Sequence, residues 1–256
     1  MKNEKICLIG CGWLGKPLAQ HLILAQYQVT ATTAHDKSGE FKAAAIAYLP
    51  FDLSLESALP GPVTKANILI YTIPPLNFSI VKSFFDKVDV DKKIIFTSST
   101  SIFGKNLGDV DESFAADLTN TSSPLLLQTE EYLRLRFKNL TIIRPGGLYG
   151  DKRHPVFFLQ GKKNLTTGAE LLHLVHREDC INAITAVIEN DIWNETFNLV
   201  SDLRVLKKDY YIEMAKKMNL TPPEYDDMGL SSGQTNISNN KSKRLLQITY
   251  RNPNQH

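Results

Sequence analysis

What is scarce in this sequence excludes more than what is abundant. No apolar run approaches the roughly 20 residues that span a bilayer as a helix, so a membrane partner is not expected. Cysteine occurs only at Cys7, Cys11 and Cys180, an odd number that argues against a disulfide framework and for reduced thiols in a cytoplasmic protein. Cys11 falls on a variable position of a glycine-rich turn, a packing role rather than a thiol catalyst. Neither sign of charge prevails. Lys and Arg number 29 against 27 Asp and Glu, a formal +2 that gives no field to draw nucleic acid or an anionic membrane surface. No repeat is visible. His173 and His176 have no Cys, Asp or Glu set completing metal-ligand spacing around them, so no metal site is expected. The remaining balance, 43% hydrophobic and 22% charged over 256 residues, suits one large or two modest domains with a sizeable core.

What is present begins at the stretch Ile6-Cys7-Leu8-Ile9-Gly10-Cys11-Gly12-Trp13-Leu14-Gly15. Its branched and small apolar residues suit a strand buried on both faces of a parallel sheet, and no small-residue cleavage site follows, so the run reads as a first strand rather than a secretory signal. Gly10 lets the chain turn sharply off the strand, Gly12 lets a pyrophosphate approach bare backbone, and Gly15 lets the next helix lie close on the sheet. Leu14, Leu18, Leu22 and Ala25 then recur at helical spacing, with Pro17 inside the first turn. Strand, turn and helix together are the context a dinucleotide fingerprint demands, with the helix N-terminus aimed at phosphates.

Further along, residues 28–32, 45–51, 67–73, 93–98, 140–144 and 196–200 read as strands, and residues 78–88, 129–137, 178–189 and 207–218 as helices. This alternation predicts an α/β fold, a Rossmann-type doubly wound parallel sheet with a small C-terminal substrate or lid portion. A core over 1–150 would bind the dinucleotide. Residues 151–256 would add core elements at about 171–200 and supply the substrate side at about 151–170 and 201–256. Pro60-Gly61-Pro62 and His35-Asp36-Lys37-Ser38-Gly39 read as breaks. From Asp226 the chain turns polar through Ser231-Ser232-Gly233, and the tail after Tyr250 is expected to fray. Lys241, Lys243 and Arg244 read as a solvated helix face. At the end of the second strand, Thr32 and Thr33 stand where an acidic residue would grip the NAD ribose, and His35 and Lys37 follow. NADP is therefore favoured over NAD, the other reading of this loop being a solvated turn. Lys152, Arg153 and His154 are placed either to meet a substrate phosphate or to face water. His176 and Arg177 are a second candidate substrate contact, although Glu178 and Asp179 beside them equally suit a helix N-terminus.

Several segments in order resemble the extended branch of the short-chain dehydrogenase/reductase superfamily, the NAD-dependent epimerase and dehydratase group. They are Gly10-Cys-Gly12-Trp-Leu-Gly15, Phe96-Thr-Ser-Ser-Thr-Ser-Ile-Phe-Gly104, Arg144-Pro-Gly-Gly-Leu-Tyr-Gly150 and Val175-His-Arg-Glu-Asp179. The likeness covers most of the chain. It implies that Trp13 and Leu14 belong to the cofactor turn, that Asp52-Leu53 holds adenine, and that Ile73-Pro74-Pro75 lines the dinucleotide. It also implies that Thr97 and Ser98 lead to the family's serine at Ser99 with Thr100 beside it, and that Pro145-Gly146 backs the nicotinamide. The departure is chemical. Hydride transfer at a carbinol carbon requires a proton to move at its oxygen, and this superfamily uses a tyrosine made acidic by a lysine one helical turn along. After Ser123-Pro124 the sequence reads Leu125-Leu126-Leu127-Gln128-Thr129, and none of the nine tyrosines has a lysine four residues later. Tyr132 precedes Arg136 and Tyr149 precedes Arg153 at that spacing. Tyr132 lies roughly 12 Å beyond the expected position and reads as packed or exposed. Tyr149 is either a catalytic candidate or a structural residue of its segment.

The resemblance thus implies an NAD(P)-binding oxidoreductase or epimerase-like enzyme of the atypical subgroup, monomeric or homodimeric. Its substrate would be a small or sugar-derived hydroxyl or carbonyl compound, a nucleotide sugar among the candidates. The alternative is a non-catalytic dinucleotide-binding regulatory or redox-sensing protein.

Overall fold

The computed structural model describes residues 4–55, 58–226 and 234–255, so Ser231-Ser232-Gly233 lie outside the described residues. Down the chain run β1 (Lys5–Ile9), α1 (Gly15–Leu24), β2 (Gln28–Thr33), α2 (Ser38–Ala43), β3 (Ala47–Pro50), α3 (Gly61–Lys65), β4 (Ile68–Tyr71), α4 (Phe78–Phe85) and β5 (Lys93–Thr97). They continue through β6 (Gly108–Val110), α5 (Pro124–Arg136), β7 (Leu140–Pro145), β8 (Gly147–Tyr149), α6 (Val156–Leu159), β9 (Leu174–His176), α7 (Arg177–Glu189), β10 (Thr196–Leu199), α8 (Lys207–Lys217), β11 (Thr235–Ile237) and α9 (Asn240–Leu246). Seven strands form one parallel sheet in the order β10-β7-β5-β4-β1-β2-β3, the Rossmann-type arrangement expected from the alternation. Two small parallel pairs, β8 with β9 and β6 with β11, stand apart from it.

The chain divides into two compact units, each built from three stretches. The first comprises Met1–Ser98, Leu125–Ile143 and Ile184–Thr196; the second comprises Ser99–Pro124, Arg144–Ala183 and Phe197–His256.

In the first unit the central strands β1, β4 and β5 are apolar on both faces, because helices cover both sides of the sheet. Ile68 to Tyr71 are all buried, as are Cys7, Leu8 and Ile9. One cluster joins Tyr71, Phe84, Phe85, Phe96, Leu133 and Phe137, with Tyr71 stacked on Phe96 at 5.2 Å between ring centroids. Each such side chain stabilises the unit by about 1.5–3 kcal/mol relative to exposure. Helix α4 starts where Asn77 accepts a hydrogen bond from Ser79 N at 3.0 Å. Just past its end Arg136 donates to the carbonyls of Phe85, Asp86 and Val88. Three readings change here. Pro60-Gly61-Pro62 opens the short helix α3, since proline is tolerated in a first turn. The expected break at 35–39 yields to α2 at Ser38, where buried Phe41 stacks on Tyr48 at 4.6 Å. Helix α5 begins at Pro124, five residues before the expected 129, and buries Leu126 and Leu127.

The second unit has two apolar clusters. One gathers Tyr149, Val156, Leu172, Leu174, Tyr210 and Met214; the other gathers Phe103, Val110, Val200 and Ile237. The tail is not frayed. Arg251 N and Nη1 donate to the buried Asp179 carboxylate at 2.9 and 2.7 Å, and Tyr210 OH donates to Pro253 O at 3.0 Å. Tyr250 OH is bonded to buried Ser242 at 2.7 Å. The composition of the tail is polar, but these backbone and side-chain bonds order it. The basic cluster lies on α9, where Lys243 pairs with Asp202 at 3.0 Å and Lys241 covers the Phe197 ring. Among the described residues no helix is long and apolar enough to cross a membrane, and no group of three or more His, Cys, Asp or Glu could hold a metal ion.

Candidate functional site

In the first unit the strand order reverses direction between β1 and β4, the point at which open α/β sheets leave a crevice at their carboxyl ends. The glycine turn lies there. Gly10 has φ +90°, a conformation glycine adopts freely, and a Cβ on it would overlap Ile73. Thr72 holds the turn to β4, donating from Oγ1 to Gly10 O at 2.8 Å, while Cys11 N donates to Thr32 O at 2.7 Å. A Cβ on Gly15 would lie 2.8 Å from Leu8 Cδ2, so only hydrogen lets α1 settle on the strand. Gly12 is the exception. A Cβ there would meet nothing within 4 Å. Its glycine therefore answers no demand of the fold, and the open backbone beside the α1 N-terminus fits an approaching phosphate. Trp13 is half-buried and Leu14 buried at this helix start.

At the carboxyl end of β5, Thr97 Oγ1 and Ser98 Oγ are buried and have no hydrogen-bond partner among the described residues. A dry, unpaired hydroxyl costs about 1–3 kcal/mol. Unpaired hydroxyls at the carboxyl end of a central strand fit a polar ligand that pairs with one of them. The threonines of β2 behave differently. Thr32 Oγ1 donates to Leu8 O at 3.3 Å and accepts from Gly10 N at 3.4 Å, and Thr33 Oγ1 donates to His35 O at 2.5 Å. Both hydroxyls are spent on shaping the turn, while His35, Asp36 and Lys37 are exposed. Asp52 accepts from Ser54 Oγ and N at 2.6 and 2.8 Å, and these two bonds hold its carboxyl below the usual range. Leu53 and Ile73 pack on the apolar core; Pro74 and Pro75 are exposed.

The second unit contains a cavity of about 470 Å³ lined by Ser99, Thr100 and Gly146. Ser99 Oγ accepts from Ser101 N at 3.1 Å and so caps a 3-10 turn, Thr100–Ile102. Gly146 is fixed by its neighbours, since a Cβ would lie 2.5 Å from His173 O. Lys105, Glu170, His173, Lys207 and Tyr211 are among the other polar residues of the wall. None of these five stands out as a site residue in the sequence, because no local motif joins residues so far apart in the chain.

Other sequence candidates lie elsewhere. Tyr149 does not line this cavity; it is buried, with its hydroxyl donating at 3.4 Å to Arg251 O, and burial pushes its phenol above the ordinary range. His154 is buried too, its Nε2 3.0 Å from Tyr210 OH and its Nδ1 accepting from Val156 N. His176 accepts from Glu178 N at 3.2 Å, and Arg177 pairs with Asp151. None of the four forms part of the cavity wall. In the first unit, Tyr132 donates to Asp86 at 2.7 Å, tying α5 to α4. Burial, then this bond, raises its phenol, the opposite of what a proton relay needs.

His173 is held neutral. Its Nε2 accepts from Ile237 N at 3.3 Å, and burial, then Arg204 and Lys207, lowers its pKa to about 4. Because the folded value lies below the unfolded one, the unfolded chain takes up the proton first. The stability contributed by neutral His173 is full above pH 6.5 and is lost as pH falls from 6.5 toward about 4. His173→Gln keeps an acceptor without a titrating ring. Thermal unfolding against pH should show a shallower acid limb for the variant; identical limbs would contradict this assignment.

Fold and turn together define a doubly wound α/β protein of the Rossmann type with a dinucleotide-style glycine turn at the switch point. No family model matches the chain. Protein YeeZ of Escherichia coli (strain K12) is 30% identical over 250 residues, covering 91% of this chain and 90% of its own. The chain belongs to the same family as Protein YeeZ. Among solved structures, a functionally unknown conserved protein from Silicibacter pomeroyi DSS shares the fold with a TM-score of 0.78 at 17% identity, covering 98% of this chain and 95% of its own. UDP-glucuronic acid 4-epimerase from Bacillus cereus, in complex with UDP-glucuronic acid and NAD, does so with a TM-score of 0.74 at 18% identity, covering 96% and 94%.

Proposed function

We propose that this protein is an NAD(P)-dependent enzyme of the short-chain dehydrogenase/reductase type, acting as an oxidoreductase or epimerase-like catalyst on a sugar-derived hydroxyl or carbonyl compound. The observation that carries the reading is Gly12, whose missing side chain serves no packing need in a turn that otherwise uses every glycine structurally. The Bacillus cereus epimerase of the same fold was solved with NAD and a UDP-sugar, which supports both the cofactor and the substrate class.

The backbone of residues 10–15 would hold the diphosphate against the N-terminus of α1, and the Thr97 or Ser98 hydroxyl would pair with the ligand's polar edge. A bound nicotinamide supplies hydride chemistry. The absence of an acidic residue at the end of β2 leaves room for a 2′-phosphate and favours NADP, with His35 and Lys37 exposed beyond it. Ser99 and Thr100 would orient the substrate oxygen in the cavity of the second unit. Tyr211 on the same wall is raised by burial, so it remains protonated and offers its O–H as a donor, and His173 is neutral above about pH 4.

The test joins binding and turnover. Purified protein with NADPH or NADH is screened against UDP-glucuronic acid, related nucleotide sugars and simple carbonyls. Turnover is expected with at least one of them, Ser99→Ala is expected to lower it about a hundredfold through lost orientation, and Ser99→Thr is expected to retain it. No turnover with any substrate, or full turnover in Ser99→Ala, would count against the enzyme.

A further inference from the structure

Among the described residues the charged groups on the cavity wall of the second unit are Lys105, Lys207 and Glu170, two cations around one carboxylate. Lys105 Nζ lies 2.7 Å from Glu170 Oε1 and Lys207 Nζ 2.5 Å from Oε2, so the carboxylate fixes both ammonium groups at the same wall. Burial raises Glu170, but the hydrogen bonds from Lys105 and then Lys207 more than offset it and hold the carboxyl below its usual range. It therefore stays ionised at neutral pH, and His173 stays neutral. The wall carries one net positive charge. Each ammonium has three N–H donors and gives one to Glu170; among the described residues no other acceptor is bonded to either Nζ, leaving donors to spare on both. The rest of the wall is rich in groups that match hydroxyls, with Ser99, Thr100, Ser122, Thr235, Asn106 and Gln234 contributing.

We infer that this cavity is a site for a polyhydroxylated ligand bearing one oxyanion, a sugar acid or a sugar monophosphate, with Lys105 and Lys207 as the paired donors to that anion. Glu170 sets the charge of the wall: bonded to both ammonium groups, it subtracts one charge, so that the pocket suits a single oxyanion. This deepens the reading of the cavity as a substrate site, but it is read by ligand binding and not by turnover, so loss of the dinucleotide reading leaves it standing and its own failure leaves that reading standing.

The test is calorimetric titration of the full-length protein with D-glucose 6-phosphate, D-glucuronate, D-glucose and inorganic phosphate. At least one sugar anion should bind, and the phosphate and carboxylate arms tell which oxyanion is meant. Glucose should bind at least about tenfold more weakly, because it lacks the charge-assisted bonds, and inorganic phosphate more weakly than the sugar anion. Lys105→Met and Lys207→Met should each weaken the sugar anion about tenfold. Glu170→Gln discriminates between roles. If the lysines merely neutralise Glu170, the variant leaves anion binding unchanged or weaker; as an anion site it gains net charge and should tighten roughly threefold, and more so at low salt. Lys105 is more than half exposed, so its variant is not expected to disturb folding even if Lys207→Met does. Binding of glucose as tight as that of the anions, no binding of any probe, or unchanged anion binding in Lys105→Met would overturn the inference.

Discussion

Gly12→Val should leave the melting temperature within a degree or two of the native protein's and weaken dinucleotide binding more than about a hundredfold, equivalent to ~3 kcal/mol. The asymmetry follows from the three glycines. At Gly10 a side chain would collide with Ile73 in a backbone already at φ +90°, and at Gly15 it would press on Leu8 and lie 3.1 Å from Gly10 O, so either change damages the fold and the site together. At Gly12 an added Cβ meets no protein atom within 4 Å. Its branches would instead occupy the space a pyrophosphate must reach to meet bare backbone and the first N–H groups of α1. Thermal unfolding and cofactor titration of the same preparation check this. A folded Gly12→Val protein that binds the dinucleotide within about threefold of native would show that the turn does not carry the phosphates.

Arg251→Ala should destabilise the protein by about 3 kcal/mol at neutral pH. Asp179 is only 1% exposed, and its carboxylate is held by the backbone N–H and the guanidinium of Arg251. Burial raises the Asp179 pKa, opposed by the bonds and charge of Arg251 and by His176. Removing the guanidinium strips the main counter-charge from a group that has little water. The sign with pH is determined: a carboxyl whose folded pKa exceeds its unfolded value stabilises fully when protonated and loses that contribution as pH rises through the folded value. The deficit of the variant should therefore be largest above the carboxylate range and shrink as pH falls into it. Urea unfolding of both proteins at neutral and mildly acidic pH measures this; a deficit that grows on acidification would contradict it. Leu246 and Tyr250 are also buried beside the tail, so the same variant should loosen the C-terminal segment and raise its hydrogen exchange.

Periodicity made the main sheet legible because β1, β4, β5 and β7 are apolar on both faces and are separated by helices with recurring leucine or phenylalanine. The glycine turn was legible for the same reason that it is useful: a residue without Cβ is required where chain, helix or ligand approaches closely. Elements whose order comes from distant partners were not. The three-residue strands β6 and β11 pair across more than 120 residues, with Thr235 opposite Gly108, and no local pattern announces such a pairing. The tail was misread because its polar composition hides the bonds from Asp179 and Tyr210 that order it. The interleaving of two units is likewise invisible in a linear reading. At the candidate site, Ser99 and Thr100 were named from a motif and do line the cavity, whereas Lys105, Glu170 and Lys207 come together only through folding. Tyr149, His154, His176 and Arg177 attract notice by residue type, yet none of them lines this cavity, and each has a polar partner within the second unit.

The most direct test uses the fingerprint's own tryptophan. Trp13 and Trp193 are the two tryptophans in the chain, so Trp193→Phe leaves Trp13, half-buried at the start of α1, as the single reporter. Titration of this variant with NADPH and with NADH should quench Trp13 emission saturably, with the tighter curve for NADPH, and Gly12→Val in the same background should abolish the quenching. Emission unchanged by both nucleotides, with the protein folded, would contradict dinucleotide binding at this turn.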